Sequence, residues 1–318
     1  MRGIFSEARL SLIIDGILGS MIILEHVPLR PKTTMHIGGT ARWFAELKTK
    51  QDVEDAFAFC RTKNCALVPL GAGSNTIFAD GEINALVIQI RNDQCVIGDQ
   101  QITVGAGATL ATVVAKLADA GLDLSALTGI PGTVGGALFG NAGQGPTGVW
   151  IDSFVETVTV FIDGQWKNLT KAECGFGYRE SGFKNGKLKI ENGKLQPSII
   201  WEVVLNVSLG DAITINATIS AMLKKRAESQ VAARTAGSCF KAAGDVPAWK
   251  LIDAAGLRGL TVGGIQISPK HANFLVNPED KGTFADAVKI VEKVKNTINV
   301  SLEVEMRFVG EDGLNLDL

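Results

Sequence analysis

Residues 129–143 read GIPGTVGGALFGNAG, with six glycines in fifteen positions and only Phe139 larger than leucine. Glycine inside regular structure costs about 0.5–1 kcal/mol relative to alanine, so such a run is not built for packing. It suits a backbone that comes close to a ligand and turns bare N–H groups toward a large planar or phosphorylated molecule. A second segment of the same kind, VPLGAGSNT at 68–76, precedes it. Two such loops in one chain point to a dinucleotide held along its length.

The rest of the composition narrows the class. A chain of 318 residues, 46% hydrophobic and 20% charged, has room for two or three domains with a full core. The net charge is −2 and no Lys/Arg-rich run occurs. Phosphate-backbone binding needs a clustered basic surface, so nucleic acid is not an expected partner. Cys60, Cys65, Cys95, Cys174 and Cys239 are scattered, no CxxC occurs, and there are three histidines. That argues against a disulfide framework or a metal site and for a reducing cytoplasm. Residues 10–24 are mostly apolar, but Asp15 interrupts them and no small-x-small cleavage site follows. A spanning helix needs roughly 20 apolar residues, so no membrane partner is expected. Residues 1–20 read as an N-terminal extension, with Met21 opening the first strand.

Periodicity places the motifs. Strands are predicted at 22–27, 65–70, 85–90, 101–104, 154–162 and 199–207. Residues 32–39 (KTTMHIGG) read as a glycine turn leading to a further strand. Val53, Ala56, Phe57 and Cys60 mark a helix over 51–64. Thr109 caps a second helix, with Leu110, Val113, Val114 and Leu117 buried and Gly121 ending it. Asn185-Gly186 and Asn192-Gly193 are hairpin-turn signals. From Asp211 a long helix runs to about Gln230. A polar loop (AARTAGS) and a helix over 247–255 follow. Strands come next near 260–267 and 273–276, then a helix from Thr283 to about Asn299 carrying Phe284, Val288, Val291 and Ile298 inward, and a last strand over 302–309. Strands and helices do not alternate regularly, which gives an α+β fold, with a domain boundary near residue 212. No GxGxxG follows the first strand, so a Rossmann domain is not expected.

Four constellations carry chemistry. GAGSNT (residues 71–76) offers backbone N–H groups with Ser, Asn and Thr side chains, a donor set suited to a pyrophosphate. In YRES (178–181), Arg179 is either a solvated surface cation or a partner for a carboxylate or carbonyl. AGSCFK (236–241) brings Ser238, Cys239 and Lys241 together. Ser238 reads as a proton donor, Cys239 as a nucleophile or a buried small hydrophobe, and a Ser–His hydrolase pairing Ser238 with His271 is a further alternative. In the last strand Leu302, Val304, Met306 and Phe308 share one face, and Glu303, Glu305 and Arg307 the other. The polar face is either a solvent-facing ion-pair ladder or the lining of a cleft.

KTTMHIGG, LGAGSNT, GIPGTVGGALFGNAG, YRESGF, GSCFK, KLIDAAGLRG, SPKHANFLVN and LEVEMRFVG occur in that order. Together, from about Thr33 to Gly310, they resemble the UDP-N-acetylenolpyruvoylglucosamine reductase family, flavoenzymes of peptidoglycan precursor synthesis. The resemblance implies an FAD-binding domain of the vanillyl-alcohol-oxidase type (21–212) followed by a smaller α+β substrate domain (213–318). It implies bound FAD, NADPH as co-substrate, a UDP-sugar substrate, a cytoplasmic location and a monomer. In the implied reaction NADPH reduces the flavin, the enolpyruvyl C3 receives the hydride, and a proton at C2 completes UDP-N-acetylmuramate.

Residue roles carry over by motif. Ser238 matches the proton donor to C2, and Arg179 and Glu305 the pair that stabilises the enolic intermediate. Ile37, Gly38, Gly71, Ala72, Gly73, Ser74, Asn75, Thr76, Ile130, Pro131, Gly132, Thr133, Gly135, Gly136, Asn141 and Gly143 match the FAD contacts. Tyr178, Lys241, His271 and Asn273 match the substrate contacts. The chain departs from the family where Ala242-Ala243 follows Lys241 in place of Asn-Pro, at Phe139-Gly140 and 144–148, and where His36 replaces a commoner Arg or Lys. The segment after Trp201 is short and lacks a tyrosine, as in the subgroup without a mobile tyrosine-bearing loop. A flavin enzyme of the same fold with another small substrate, and a non-catalytic flavin-binding relative, are the remaining alternatives.

Overall fold

The computed structural model of the protein describes residues 21–98, 101–144, 148–184, 197–229, 231 and 233–318. The expected N-terminal extension and both Asn-Gly turns lie outside the described residues. Three sheets of four or five strands and one parallel pair, with helices around them, form the α+β architecture expected from the sequence.

The first sheet is built from β1 (Ile23–Pro28), β2 (Thr40–Leu47), β3 (Ala66–Pro69) and β5 (Glu82–Ile90), in the order β1-β2-β5-β3. β1 runs antiparallel to β2, while β2 and β3 both run parallel to β5. Helix α1 (Lys50–Lys63) crosses between β2 and β3 and opens with a capping box, Thr49 and Asp52 satisfying each other's amides. β4 (Thr76–Phe78), outside that sheet, follows the GAGS loop.

A five-stranded antiparallel sheet comes next, in the order β6-β7-β10-β8-β9. It comprises β6 (Cys95–Ile97), β7 (Gln101–Gly105), β8 (Val155–Ile162), β9 (Gln165–Thr170) and β10 (Ile199–Asn206). Between β7 and β8 lie α2 (Leu110–Asp119) and a six-residue helix α3 (Val134–Phe139). Thr109 caps α2, its apolar stripe is buried as predicted, and Gly121 follows in the left-handed region at φ 72°. Each buried Leu or Val there contributes about 1.5–3 kcal/mol.

The C-terminal part contains α4 (Ala212–Ser229), β11 (Thr235–Ser238), α5 (Ala248–Ala254), β12 (Thr261–Val262), β13 (Ile265–Ile267), β14 (Phe274–Val276), α6 (Phe284–Thr297) and β15 (Arg307–Val309). Its sheet runs β11-β14-β13-β12. β15 leaves that sheet and pairs in parallel with β4, Arg307 opposite Thr76. One apolar core therefore joins the two ends of the chain. Leu29, Ile37, Phe44 and Phe78 pack in the same cluster as Phe240, Ile252, Ile290 and Phe308.

Three readings change. The polar loop AARTAGS ends in strand β11, because β14 supplies a ladder that no local propensity signals. The last strand is shorter than 302–309. Val304 makes an isolated bridge to Phe240, and only 307–309 join β4, because the chain changes partner in between. Inside the glycine segment, Thr133 accepts the Gly136 amide at 3.2 Å and nucleates α3. Among the described residues no helix is long and apolar enough to cross a membrane.

Candidate functional site: a cleft between glycine loops and charged turns

A cavity of about 1490 Å³ opens where the three sheets meet. This exceeds the roughly 300–1,000 Å³ of a common ligand pocket, so there is room for a dinucleotide and a second molecule beside it. One wall is made of 71–76, of 130–133 and of Gly135, Gly136 and Gly143.

These glycines do more than approach a ligand, for they also let the loops touch one another. A Cβ on Gly71 would stand 2.7 Å from the Thr133 hydroxyl, and one on Gly132 would stand 2.9 Å from Ser74 Oγ. Gly73 lies at φ +67°, and a Cβ there would meet the Lys32 carbonyl at 2.2 Å. The packing excluded at the level of composition is thus real: it is loop against loop, and it leaves a cradle of backbone that any side chain would fill or spread. Such a cradle fits the pyrophosphate and ring of a flavin dinucleotide.

A second stretch of the lining carries Arg179, Ser238, His271 and Glu305. Ser238 ends β11, and the next residue ties it to the last segment: the Glu305 amide donates to the Cys239 carbonyl at 2.8 Å. Asn75 joins this stretch directly to the glycine loops, its Nδ2 donating to the Glu305 carbonyl at 3.3 Å, and the Arg307 amide donates to the Asn75 carbonyl at 2.9 Å. Arg179 sits at φ 56° in a tight turn closed by reciprocal Gly177 and Glu180 backbone bonds of 3.0 and 3.1 Å. A non-glycine residue held there costs about 1–3 kcal/mol and persists only where its surroundings impose it. They do. Lys241 pairs with Glu180, Lys184 Nζ lies 3.4 Å from Glu180 and donates to the Arg179 carbonyl at 3.2 Å, and Asn141 Nδ2 donates to the Gly177 carbonyl at 2.9 Å. Arg179 Nε thereby lies 3.5 Å from Glu305 Oε1.

Burial pushes the Glu305 carboxyl above the ordinary value of 4.5, against the pull of Arg179, Lys184 and Lys241. Burial lowers His271, whose Nδ1 accepts the Asn273 amide at 3.3 Å. Cys239 is fully buried, and burial with the neighbouring Glu305 pushes its thiol up, which rules out the nucleophile reading. The polar face of the last segment is split. Glu305 and Arg307 line the cleft, and Glu303 is largely solvated while it holds Lys241.

Six residues picked out in the sequence do not line the cavity. Ile37 and Gly38 lie beneath the glycine wall, Ile37 bonded to Thr33 and Gly38 against the Cβ atoms of Leu29 and Phe78. Asn141 braces the Arg179 turn. Tyr178 packs edge-on to Trp150 with ring centroids 6.1 Å apart. Lys241 is 5% exposed between Glu180 and Glu303. Asn273 clamps the residue after Ser238-Cys239, accepting the Phe240 amide at 3.0 Å and donating to its carbonyl at 2.8 Å.

Sequence reasoning missed other lining residues. Ala106 and Gly107 form a third small-residue loop, and the GAGAT run at 105–109 could have revealed it. Arg226 reaches in from α4 and donates to the Gly129 carbonyl at 2.8 Å, and nothing in the sequence separates it from Lys224 and Lys225 beside it. Arg307, which the polar face of the last strand signals, donates to the Pro69 carbonyl at 2.7 Å, and burial lowers its pKa to about 10, so it remains a cation at neutral pH.

Comparison with known proteins gives two family matches. Residues 229–309 match the UDP-N-acetylenolpyruvoylglucosamine reductase C-terminal domain, and residues 41–170 match an FAD binding domain. A UDP-N-acetylenolpyruvoylglucosamine reductase of Geobacter metallireducens is 35% identical over 298 residues, 91% of this chain and 95% of the relative. That of Limosilactobacillus fermentum is 35% identical, covering 91% and 94%. The crystal structure of the Thermus caldophilus enzyme aligns with a TM-score of 0.76 at 31% identity, over 91% of this chain and 99% of that one.

Proposed function

The chain belongs to the UDP-N-acetylenolpyruvoylglucosamine reductase family, and on that premise we propose how its cleft reduces the enolpyruvyl group of UDP-N-acetylglucosamine enolpyruvate with NADPH in peptidoglycan precursor synthesis. FAD supplies the two-electron relay between NADPH and the enolpyruvyl carbon. Residues 71–76 and 130–136 hold it, since their backbones leave the cradle open. We place the cofactor in 21–212 and substrate recognition mainly in 213–318, with Arg179 the exception.

The observation that carries this reading is the Arg179–Glu305 pair, which shares one cavity with Ser238 and the glycine loops. When a hydride reaches C3, negative charge develops at C2 and spreads into the substrate carboxylate. A preorganised guanidinium in a site of low polarity stabilises such charge by several kcal/mol. Ser238 supplies the proton at C2. A serine hydroxyl is a weak acid, so its proton must be replaced as it leaves. We assign that replacement to Glu305, which lines the same cavity and whose carboxyl burial pushes above its ordinary value. His271 faces the substrate from the same wall, while Tyr178, Lys241 and Asn273 act one layer back by holding the turn and strand that carry Arg179 and Ser238. The enzyme works as a cytoplasmic monomer with no nucleic-acid partner. The absence of a Lys/Arg-rich run and the net charge of −2 argue against a nucleic-acid partner.

Anaerobic absorbance of the FAD-loaded protein tests it. Bleaching of the flavin band by NADPH, followed by recovery on adding UDP-N-acetylglucosamine enolpyruvate, is expected. Bleaching without recovery would retain a flavin reductase and remove the substrate. A protein that takes up no FAD would remove the reading entirely.

A further inference from the structure

Helix α1 ends at Lys63, and Asn64 beyond it is left-handed at φ 51°. The chain folds back, and the amides of Asn64 and Cys65 both donate to the Cys60 carbonyl, the second at 3.1 Å. This helix end brings together the side chains of the accepting residue and of the residue after the left-handed one. An apolar pair commonly occupies those positions; here both are cysteines. The two thiols are free. Cys60 is buried and its sulfur lies 3.7 Å from the Ala66 carbonyl, whereas Cys65 is half-exposed. A solute therefore meets Cys65 first, with Cys60 directly behind it. Neither cysteine lines the cleft.

We propose that Cys60 and Cys65 form a redox-modification site for hydroperoxides, at which Cys65 is oxidised and Cys60 closes a disulfide. In the first step the Cys65 thiolate attacks the outer peroxide oxygen. An S–O bond forms, the O–O bond breaks, sulfur loses two electrons, and the released alkoxide takes a proton and leaves as an alcohol, or as water when the oxidant is hydrogen peroxide. In the second step the Cys60 sulfur attacks the sulfenic sulfur. The S–S bond forms, the S–O bond breaks, and the departing hydroxide leaves as water with the Cys60 proton.

The local electrostatics suit this order. The neighbouring Cys60 thiol, the Leu86 amide and the Arg42 cation favour the Cys65 thiolate against the effect of burial, while the neighbouring Cys65 sulfur and deeper burial push Cys60 up. Cys95 is also half-exposed, but burial raises its thiol despite Lys116. It serves as a control of similar exposure within the same chain.

The test is graded hydrogen peroxide treatment of the FAD-loaded enzyme, followed by alkylation after unfolding and peptide mapping. Cys60 and Cys65 should lose alkylation together, their peptides joined and lighter by two hydrogens. Loss should be about tenfold faster than at Cys95, because the rate follows thiolate fraction. Cys60→Ser should leave Cys65 trapped as a sulfenic acid by dimedone, and Cys65→Ser should leave Cys60 reduced. Oxidation of Cys95 as fast as the pair, or oxidation of Cys60 undiminished in Cys65→Ser, would overturn the proposal. The readout does not depend on turnover, so it stands apart from the proposed reaction.

Discussion

In one stretch of the cleft lining, residues 71–76, 130–133, Gly135 and Gly136 present backbone and small side chains; in another, Arg179, Ser238 and Glu305 present a cation, a hydroxyl and a carboxylate. The first wall works through atoms it lacks. Its loops touch so closely that a Cβ at Gly71, Gly73 or Gly132 would fall within 3 Å of a neighbour. The second wall works through placed charge, and each of its side chains is borne on a different element and braced from behind. The two walls should therefore fail differently. Crowding the first loses the cofactor, whereas stripping the second loses chemistry from a loaded enzyme.

Ser238→Ala gives the largest effect, a fall of about 10²–10⁴-fold in the step that consumes the enolpyruvyl substrate, the usual size of a general-acid contribution. Arg179→Met follows at about 10²–10³-fold in the same step, as for removal of one preorganised charge donor. Rapid-mixing absorbance should show flavin reduction by NADPH little changed in both. If either variant lost FAD instead, the two walls would not be separable.

Gly73→Ala breaks the other side. At φ +67° with backbone 2.2 Å away, it should destabilise the loop by more than about 1 kcal/mol and lower FAD occupancy, read as flavin per protein after purification. Full occupancy would show that the loop relaxes without cost. Glu180→Gln sharpens the comparison from behind the second wall. Lys241 and Lys184 lose their shared partner, the Arg179 turn relaxes, and the substrate step should slow about tenfold, or 1.4 kcal/mol, with flavin content unchanged. Glu180→Asp should restore part of the rate.

The smallest effect is on stability. Because burial raises the Glu305 carboxyl above 4.5, folding favours its protonated form, and stability is lost as pH rises through the raised folded value. Glu305→Gln should therefore melt higher than the parent at pH 8, with the difference shrinking toward pH 4. An equal gain at both pH values would place the effect in packing rather than charge.

The sequence made the first wall easier to read than the second. Glycine runs at 71–73 and 129–143 are local signals, and α1 and α2 announced themselves through caps and apolar stripes. Arg179, Ser238 and Glu305 were legible only through motif resemblance, because nothing local distinguishes a braced arginine from a solvated one. The bracing comes from residues far apart in sequence. Lys241 lies sixty-one positions from Glu180, and Asn75 lies 230 from Glu305. For the same reason Lys241 and Asn273 could be assigned to the substrate by motif while the fold turns them toward the scaffold. The strand at 235–238 and the break before 307 went unread because the partners β14 and β4 determine them.

Separate timing of the two half-reactions in Ser238→Ala tests the division between the walls most directly. The FAD-loaded variant is mixed anaerobically with NADPH, and the reduced protein is then mixed with UDP-N-acetylglucosamine enolpyruvate. Bleaching at the parent rate with recovery slowed at least about 10²-fold is the expected result. Equal loss in both steps, or recovery at the parent rate, would contradict it and leave Ser238 a structural residue of β11.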